Sequence, residues 1–187
     1  MELFPKAVTP ELTSRIYNVY RNADNHYFGE DRHYPSDLGH FILSSFTIHE
    51  MGFVWNELLK DMYSFAWKYE PILFRVLKYT QGCYIEPHID QAWDGSETDH
   101  SLIIQMNPTD EFKGGIPTVD GKEHRIEQGD ALIYQYGEEH GVSEVTEGVR
   151  YVFNVRMKKG PYDREKGIPQ DRDYGYLWPF RDRRQFE

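Results

Sequence analysis

The chain has 187 residues, a formal net charge of −10 from 21 Lys and Arg against 31 Asp and Glu, and 16% aromatic residues. That length suits one domain with its own core, and the aromatic content excludes a disordered tail. The acidic balance argues against a nucleic-acid partner, and no apolar run approaches the roughly eighteen residues of a membrane span. A single cysteine, Cys83, excludes an intramolecular disulfide and fits a reducing compartment. The opening MELFPKAVTPEL has neither a basic n-region nor an apolar h-region, so a cytoplasmic location is expected.

Two helices are predicted first. Thr9-Pro10-Glu11 reads as an N-cap, a first-turn proline and an acid at the positive helix end, with Leu12, Ile16 and Val19 following at helical spacing. A second helix, about 50–69, carries Met51, Val54, Trp55, Leu58, Leu59, Met62, Phe65 and Ala66 in steps of three and four. Such a stripe packs on a sheet. Between them, 22–45 is polar and aromatic with Gly, Pro and Asp, and reads as a long loop, of a length that often covers a site, or as a broken edge.

From Pro71 the pattern becomes that of short strands separated by turns. The runs are ILFRVLKYT (72–80), CYIEPHID (83–90), HSLIIQMN (100–107), IPTV (116–119), HRIE (124–127), ALIYQY (131–136), GVSEV (141–145) and VRYVFNVRM (149–157). Turns are placed at Asp94-Gly95, Gly114-Gly115, Asp120-Gly121, Gly129-Asp130 and Glu147-Gly148. About eight short strands predict a mainly β domain, a sandwich or jelly-roll barrel with the helices on one outer face. The expected organisation is one domain over 1–187: N-terminal helices to about 70, barrel to about 158, and an ordered, charged and aromatic tail over 159–187.

In a strand, residues two apart share a side, so His88 and Asp90 present an imidazole and a carboxylate to one space. A third ligand from a distant strand would make two His and one carboxylate on one face of a metal, leaving open positions opposite, as non-haem Fe(II) sites require. His140 opens HGVSEVTEGVRYVFNV, in which Gly141–Val145 and the segment bearing Arg150 read as a hairpin turning at Glu147-Gly148. If its two strands are neighbours, His140 and Arg150 both face the interior. A buried arginine needs an anion. Glu144 and Glu147 flank the turn and should be wet, so the carboxylate of a small molecule is the economical partner. The rival third ligands His100 and His124 lack a following Gly-Val-Ser run with an arginine beyond it. His26, His33, His40 and His49 read as surface or packed residues, and Cys83 as a small buried apolar one.

These parts, in order, resemble the prolyl-4-hydroxylase-like branch of the Fe(II)/2-oxoglutarate-dependent dioxygenases. They are Tyr79-x-x-Gly82, Glu86-Pro87-His88-x-Asp90, Ile104-Gln105-Met106-Asn107, Gly114-Gly115-Ile116-Pro117-Thr118, Gly129-Asp130-Ala131-Leu132-Ile133 and His140-Gly141-Val142-Ser143-Glu144-Val145-x-x-Gly148-x-Arg150-Tyr151. The resemblance covers roughly residues 72–157. It implies a double-stranded β-helix in which His88, Asp90 and His140 hold Fe(II) and Arg150 clamps the distal carboxylate of 2-oxoglutarate. Tyr79 falls where relatives carry a cosubstrate-side tyrosine. Gln105 departs from the tyrosine common at its position but keeps a donor for a carboxylate. Strand period puts Ile103 on the inward face of Gln105 and Asn154 on that of Arg150, and Asn154 is a further candidate to touch cosubstrate or substrate.

The implied reaction consumes O2 and 2-oxoglutarate, releases succinate and CO2, and hydroxylates an unactivated C–H bond. Asp90 retains the carboxylate that halogenating relatives replace with a small residue, so hydroxylation is expected. The acidic and aromatic segments 91–99 and 108–113 are expected at the entrance, where they favour a neutral or cationic amino-acid-type substrate, peptidyl prolyl or free. Two other readings are a cupin-like metalloenzyme without a keto acid, which gives Arg150 no purpose, and a non-catalytic domain, which has no need of His88, Asp90 and His140 together.

Overall fold

Fifteen residues of continuous strand, β12 (Val145–Lys159), divide the molecule into two sides. Tyr151, Phe153, Val155 and Met157 enter one apolar cluster, whereas Val152 enters a second. By the two-residue period, buried Arg150 and Asn154, and Arg156, share the side of Val152. The computed structural model of the chain describes residues 1–22, 32–36, 39–44, 57–58, 60–62, 64–90 and 98–160.

β12 pairs along one edge with β4 (Tyr69–Thr80), and along the other with β6 (His100–Gln105) and, near its start, β7 (Phe112–Gly114). Beyond β6 lie β10 (Ala131–Gln135) and β1 (Glu2–Phe4). Beyond β4 come β3 (Gly39–Ser44), β5 (Tyr84–His88), β11 (His140–Val142), β8 (Pro117–Val119) and β9 (Lys122–Glu123), while β2 (Arg32–Ser36) pairs with β3. Leu132 and Ile103 from one wing pack in the same cluster as Val119 and Val142 from the other. The wings therefore fold toward each other around a shared interior, which is the jelly-roll barrel expected from the strand count.

The outer face is covered as the periodicity predicts. Helix α1 (Pro10–Asn22) is capped by Thr9, whose Oγ1 accepts from Leu12 N at 3.3 Å. Leu12, Ile16 and Tyr17 join Leu58, Met62 and Ala66 over Leu102, Ile104, Ala131, Ile133 and the outward residues of β12. The second helix is helical at 57–58, 60–62 and 64–66, and gives way to β4 at Tyr69; the rest of its predicted length lies outside the described residues. Phe153 is 1% exposed at the centre of this layer. Phe153→Ala should lower the free energy of unfolding by about 3–5 kcal/mol, read as a shifted urea midpoint.

Four expectations need correction. The segment 22–45 is not all loop, because β2 and β3 form an antiparallel hairpin whose second strand bridges β4 and β5. HRIE (124–127) is not a strand: the ladder to β8 is made by Lys122 and Glu123, and Ile126 is buried without pairing. No turn falls at Glu147-Gly148, where β12 runs on through a register shift against β7. Gly148 there takes φ +75°, and a Cβ would stand 2.1 Å from Glu111 O, so glycine is needed for a bulge rather than a hairpin. Consequently β11 and β12 are not neighbours, since β4, β3 and β5 lie between them in the sheet. The pairing of β1 with β10 was not expected. The segment 161–187, holding most of the predicted tail, and residues 91–97 lie outside the described residues. Residues 108–113 form a short 3-10 turn (Thr109–Glu111) followed by β7, with Glu111 accepting from Tyr17 and Asn107. Among the described residues no helix is long and apolar enough to cross a membrane.

Candidate metal centre and carboxylate pocket

β5 and β11 are antiparallel neighbours with His88 opposite His140. The approach is close because residue 141 is glycine: a Cβ there would meet Ile85 O at 2.8 Å and Pro87 N at 3.1 Å. The two imidazoles lie 4.3 Å apart between centroids. Asp90, two residues past His88, brings its carboxylate to both, with Oδ1 at 3.7 Å from His88 Nε2 and Oδ2 at 3.5 Å from His140 Nε2. One ligating atom from each residue lies within 4.8 Å of the others, and this is the one such His/Cys/Asp/Glu group among the described residues.

Both histidines are held by the same device. Nδ1 of His88 donates to Glu86 O at 2.9 Å, and Nδ1 of His140 donates to Glu138 O at 3.0 Å. A carbonyl only accepts, so the proton sits on Nδ1 and each Nε2 keeps a lone pair in the shared space. The Asp90 carboxylate beside it pushes the His88 pKa up, against burial, with smaller help from Glu86 O. Burial would raise the Asp90 carboxyl, but the adjacent imidazoles of His140 and His88 and the charge and hydrogen bonds of Arg156 outweigh it, holding it well below the usual carboxylate range. An anionic carboxylate and two Nε2 lone pairs on one side make a donor set suited to a divalent ion of Fe(II) type.

Arg150 is 1% exposed and packs its guanidinium 5.4 Å from the ring centroid of Tyr79, itself buried. Its Nε donates to Gln105 Oε1 at 2.9 Å, and Gln105 Nε2 donates to Asn107 O and Oδ1. Nη2 is buried without a hydrogen-bond partner, and among the described residues no carboxylate lies within ion-pair distance of the guanidinium. Burial lowers the Arg150 pKa to about 10 and raises that of Tyr79 to about 12. Gly115 makes room for this side chain, since a Cβ there would stand 2.9 Å from Arg150 Cδ. An isolated buried cation with an orphaned N–H fits a ligand carboxylate.

The sequence candidates are thus partly gathered. His88, Asp90 and His140 form one cluster; Arg150, Tyr79 and Gln105 form another in the same barrel interior. Asn154 is buried, but its Nδ2 donates to Leu102 O at 3.3 Å. His100 bonds Asp99 at 2.5 Å and meets the Tyr69 ring at a tilt, while His124 Nε2 is buried without a partner among the described residues, and neither joins the cluster. The side chains of His26, His33, His40 and His49 lie outside the described residues. Cys83 is buried, with Sγ 3.3 Å from Thr80 Oγ1.

Two neighbours escaped the sequence reading. Tyr134 packs 4.3 Å from His140 between ring centroids. Arg156 grips Asp90 with both arms, Nη2 donating to Oδ1 at 3.1 Å and Nη1 donating to Oδ2. The strand period that aligned Asn154 with Arg150 reaches Arg156 one step later, and on β10 it puts Tyr134 on the side of Leu132.

A profile of the 2OG-Fe(II) oxygenase superfamily matches residues 74–157. A PKHD-type hydroxylase of Idiomarina loihiensis is 33% identical over 78 residues, 39% of this chain and 36% of the relative. Another, of Maricaulis maris, is 34% identical over 80 residues, 40% of this chain and 36% of the relative. The match spans about a third of the length of these curated relatives. Among solved structures, the viral collagen prolyl hydroxylase of Paramecium Bursaria Chlorella virus-1, a 2OG complex, superposes with TM-score 0.62 at 14% identity, covering 83% of this chain and 94% of that one. A Pseudomonas putida prolyl-4-hydroxylase superposes with TM-score 0.60 at 14% identity, covering 85% and 92%.

Proposed function

We propose, for a chain whose residues 74–157 match the 2OG-Fe(II) oxygenase superfamily, that it hydroxylates an unactivated C–H bond of an amino-acid-type substrate, peptidyl prolyl or free, with release of succinate and CO2. The carrying observation is the His88–Asp90–His140 cluster in the same barrel interior as a buried arginine that meets no acid among the described residues. The superfamily's cofactors are Fe(II), 2-oxoglutarate and O2, and the donor set and the orphaned Nη2 fit the first two. When bound, Fe(II) with the keto acid supplies the oxidising power for attack on the C–H bond.

The chain's own part is positioning. His88 and His140 would offer Nε2 lone pairs fixed by the carbonyls of Glu86 and Glu138, and Asp90 one oxygen. Arg150 would take the distal carboxylate of 2-oxoglutarate, turned to it by Gln105, with Tyr79 walling the same pocket. Tyr134, Leu132, Ile103 and Val152 are buried around this space and keep it free of bulk water. The preference for a prolyl substrate is supported by the likeness in fold to two prolyl hydroxylases. A cupin-like enzyme without a keto acid leaves the burial of Arg150 unexplained.

Anaerobic addition of Fe(II) and then 2-oxoglutarate to metal-free protein tests the reading. A weak visible charge-transfer band should develop only with both. A band equal in Fe(II) alone, or none with both, would remove the keto acid from the proposal. Succinate formation with a panel of prolyl peptides and free amino acids then reads out the substrate.

A further inference from the structure

Asp90 differs from the two histidines in what stands behind it. Each imidazole is backed by a neutral backbone carbonyl, an arrangement that leaves its Nε2 a good donor. The carboxylate is backed by a full cation. Arg156 places a two-pronged guanidinium across both oxygens, and its Nη1 also donates to Ser101 Oγ at 3.1 Å. Ser101 Oγ in turn donates to Asp90 Oδ2 at 3.4 Å. The ring of Tyr136 lies 4.9 Å from the guanidinium carbon, and Tyr136 is itself tethered to Thr98 Oγ1 at 2.7 Å. The pair is largely shielded, with side-chain exposures of 20% for Arg156 and 11% for Asp90, so solvent screens its charges only in part.

We propose that Arg156 is a built-in rival for the divalent ion at Asp90: guanidinium and metal draw on the same two oxygens, so the site holds its metal less tightly than its three ligands alone would. The inference rests on the metal-centre reading above. Two effects of Arg156 oppose each other. It orients the carboxylate, which favours binding, and its positive charge repels a divalent cation arriving at the same group, which disfavours it. Orientation has other support, because Asp90 also lies between two fixed imidazoles and beside Ser101. The charge has no substitute, so repulsion decides the sign. The resulting site would load and release its metal by exchange rather than trapping it.

The test is a Mn(II) titration at fixed pH and salt, reading the free ion by its EPR signal, with folding checked by circular dichroism. Arg156→Gln removes the charge and keeps a hydrogen-bond donor, and should bind Mn(II) about tenfold more tightly than the parent. Arg156→Lys keeps the charge but loses the fork, and should gain about two- to threefold. Unchanged or weaker binding in Arg156→Gln would overturn the proposal; if that variant does not fold, absence of a gain in Arg156→Lys does so instead. His88→Ala separates the two readings. If it binds Mn(II) as well as the parent, the metal-centre reading fails. If its binding is lost while Arg156→Gln shows no gain, only the rivalry fails.

Discussion

Alanine in place of His88 is expected to reduce 2-oxoglutarate-dependent succinate formation to the background of a protein-free mixture. Disturbing only the partners that orient a metal ligand typically costs about 10–100-fold, so loss of the ligand itself should exceed that. His88 is the cleaner of the two positions for this test. Its ring donates to a backbone carbonyl and faces Asp90 at 3.7 Å, and its removal leaves the Asp90–Arg156 pair in place. Asp90→Ala should be as inactive, but for a mixed reason: it also strands Arg156 without its anion and costs about 3 kcal/mol of stability. Fold and activity therefore separate in His88→Ala and fall together in Asp90→Ala, which a thermal melt run beside the succinate assay distinguishes. Full activity in either variant would refute the ligand assignment.

Arg150→Met should show the opposite separation. Truncating a buried, hydrogen-bonded charge that meets an anionic partner costs about 2–5 kcal/mol of binding, so the KM for 2-oxoglutarate should rise by roughly 30-fold to several thousandfold. Turnover at saturating cosubstrate should fall much less, because the metal ligands are untouched. Stability should change by no more than about 1 kcal/mol, since methionine replaces a buried charge that, among the described residues, is hydrogen-bonded to the neutral Gln105 and to no acid. A KM for 2-oxoglutarate equal to that of the parent, measured by succinate release, would detach Arg150 from the cosubstrate.

The site was more legible than the fold around it, for local reasons. His88 and Asp90 are two residues apart on one segment, and strand period alone brings them together. That a buried Arg150 would need an anion from a small molecule was readable from the lack of an obvious acid mate beside it. The relation of His140 to Arg150 was not, because Gly148 looks the same in a hairpin turn and in a bulge within a strand, and only the close approach of Glu111 O distinguishes them. The hairpin of β2 and β3 was hidden by polar and aromatic composition: its pairing is set by distant strands rather than by local pattern. HRIE carries one buried isoleucine, and burial without a ladder partner mimics a strand in sequence. Arg156 was missed because its mate, Asp90, is 66 positions away in the chain.

The uninterrupted run from Val145 to Lys159 limits how this protein can change. Its alternate residues serve two clients: the aromatic and aliphatic set carries the helical coat, and the interleaved set carries both guanidinium groups of the interior. Inserting or deleting one residue between them would exchange the sets wholesale, driving Phe153 toward the reaction chamber and an arginine under the helices. Divergence along this strand is therefore confined to replacement of individual side chains or to length changes in pairs. The spacing between Arg150 and Arg156 can consequently change only by even steps, which keeps the carboxylate pocket and the partner of Asp90 on the same side of the strand.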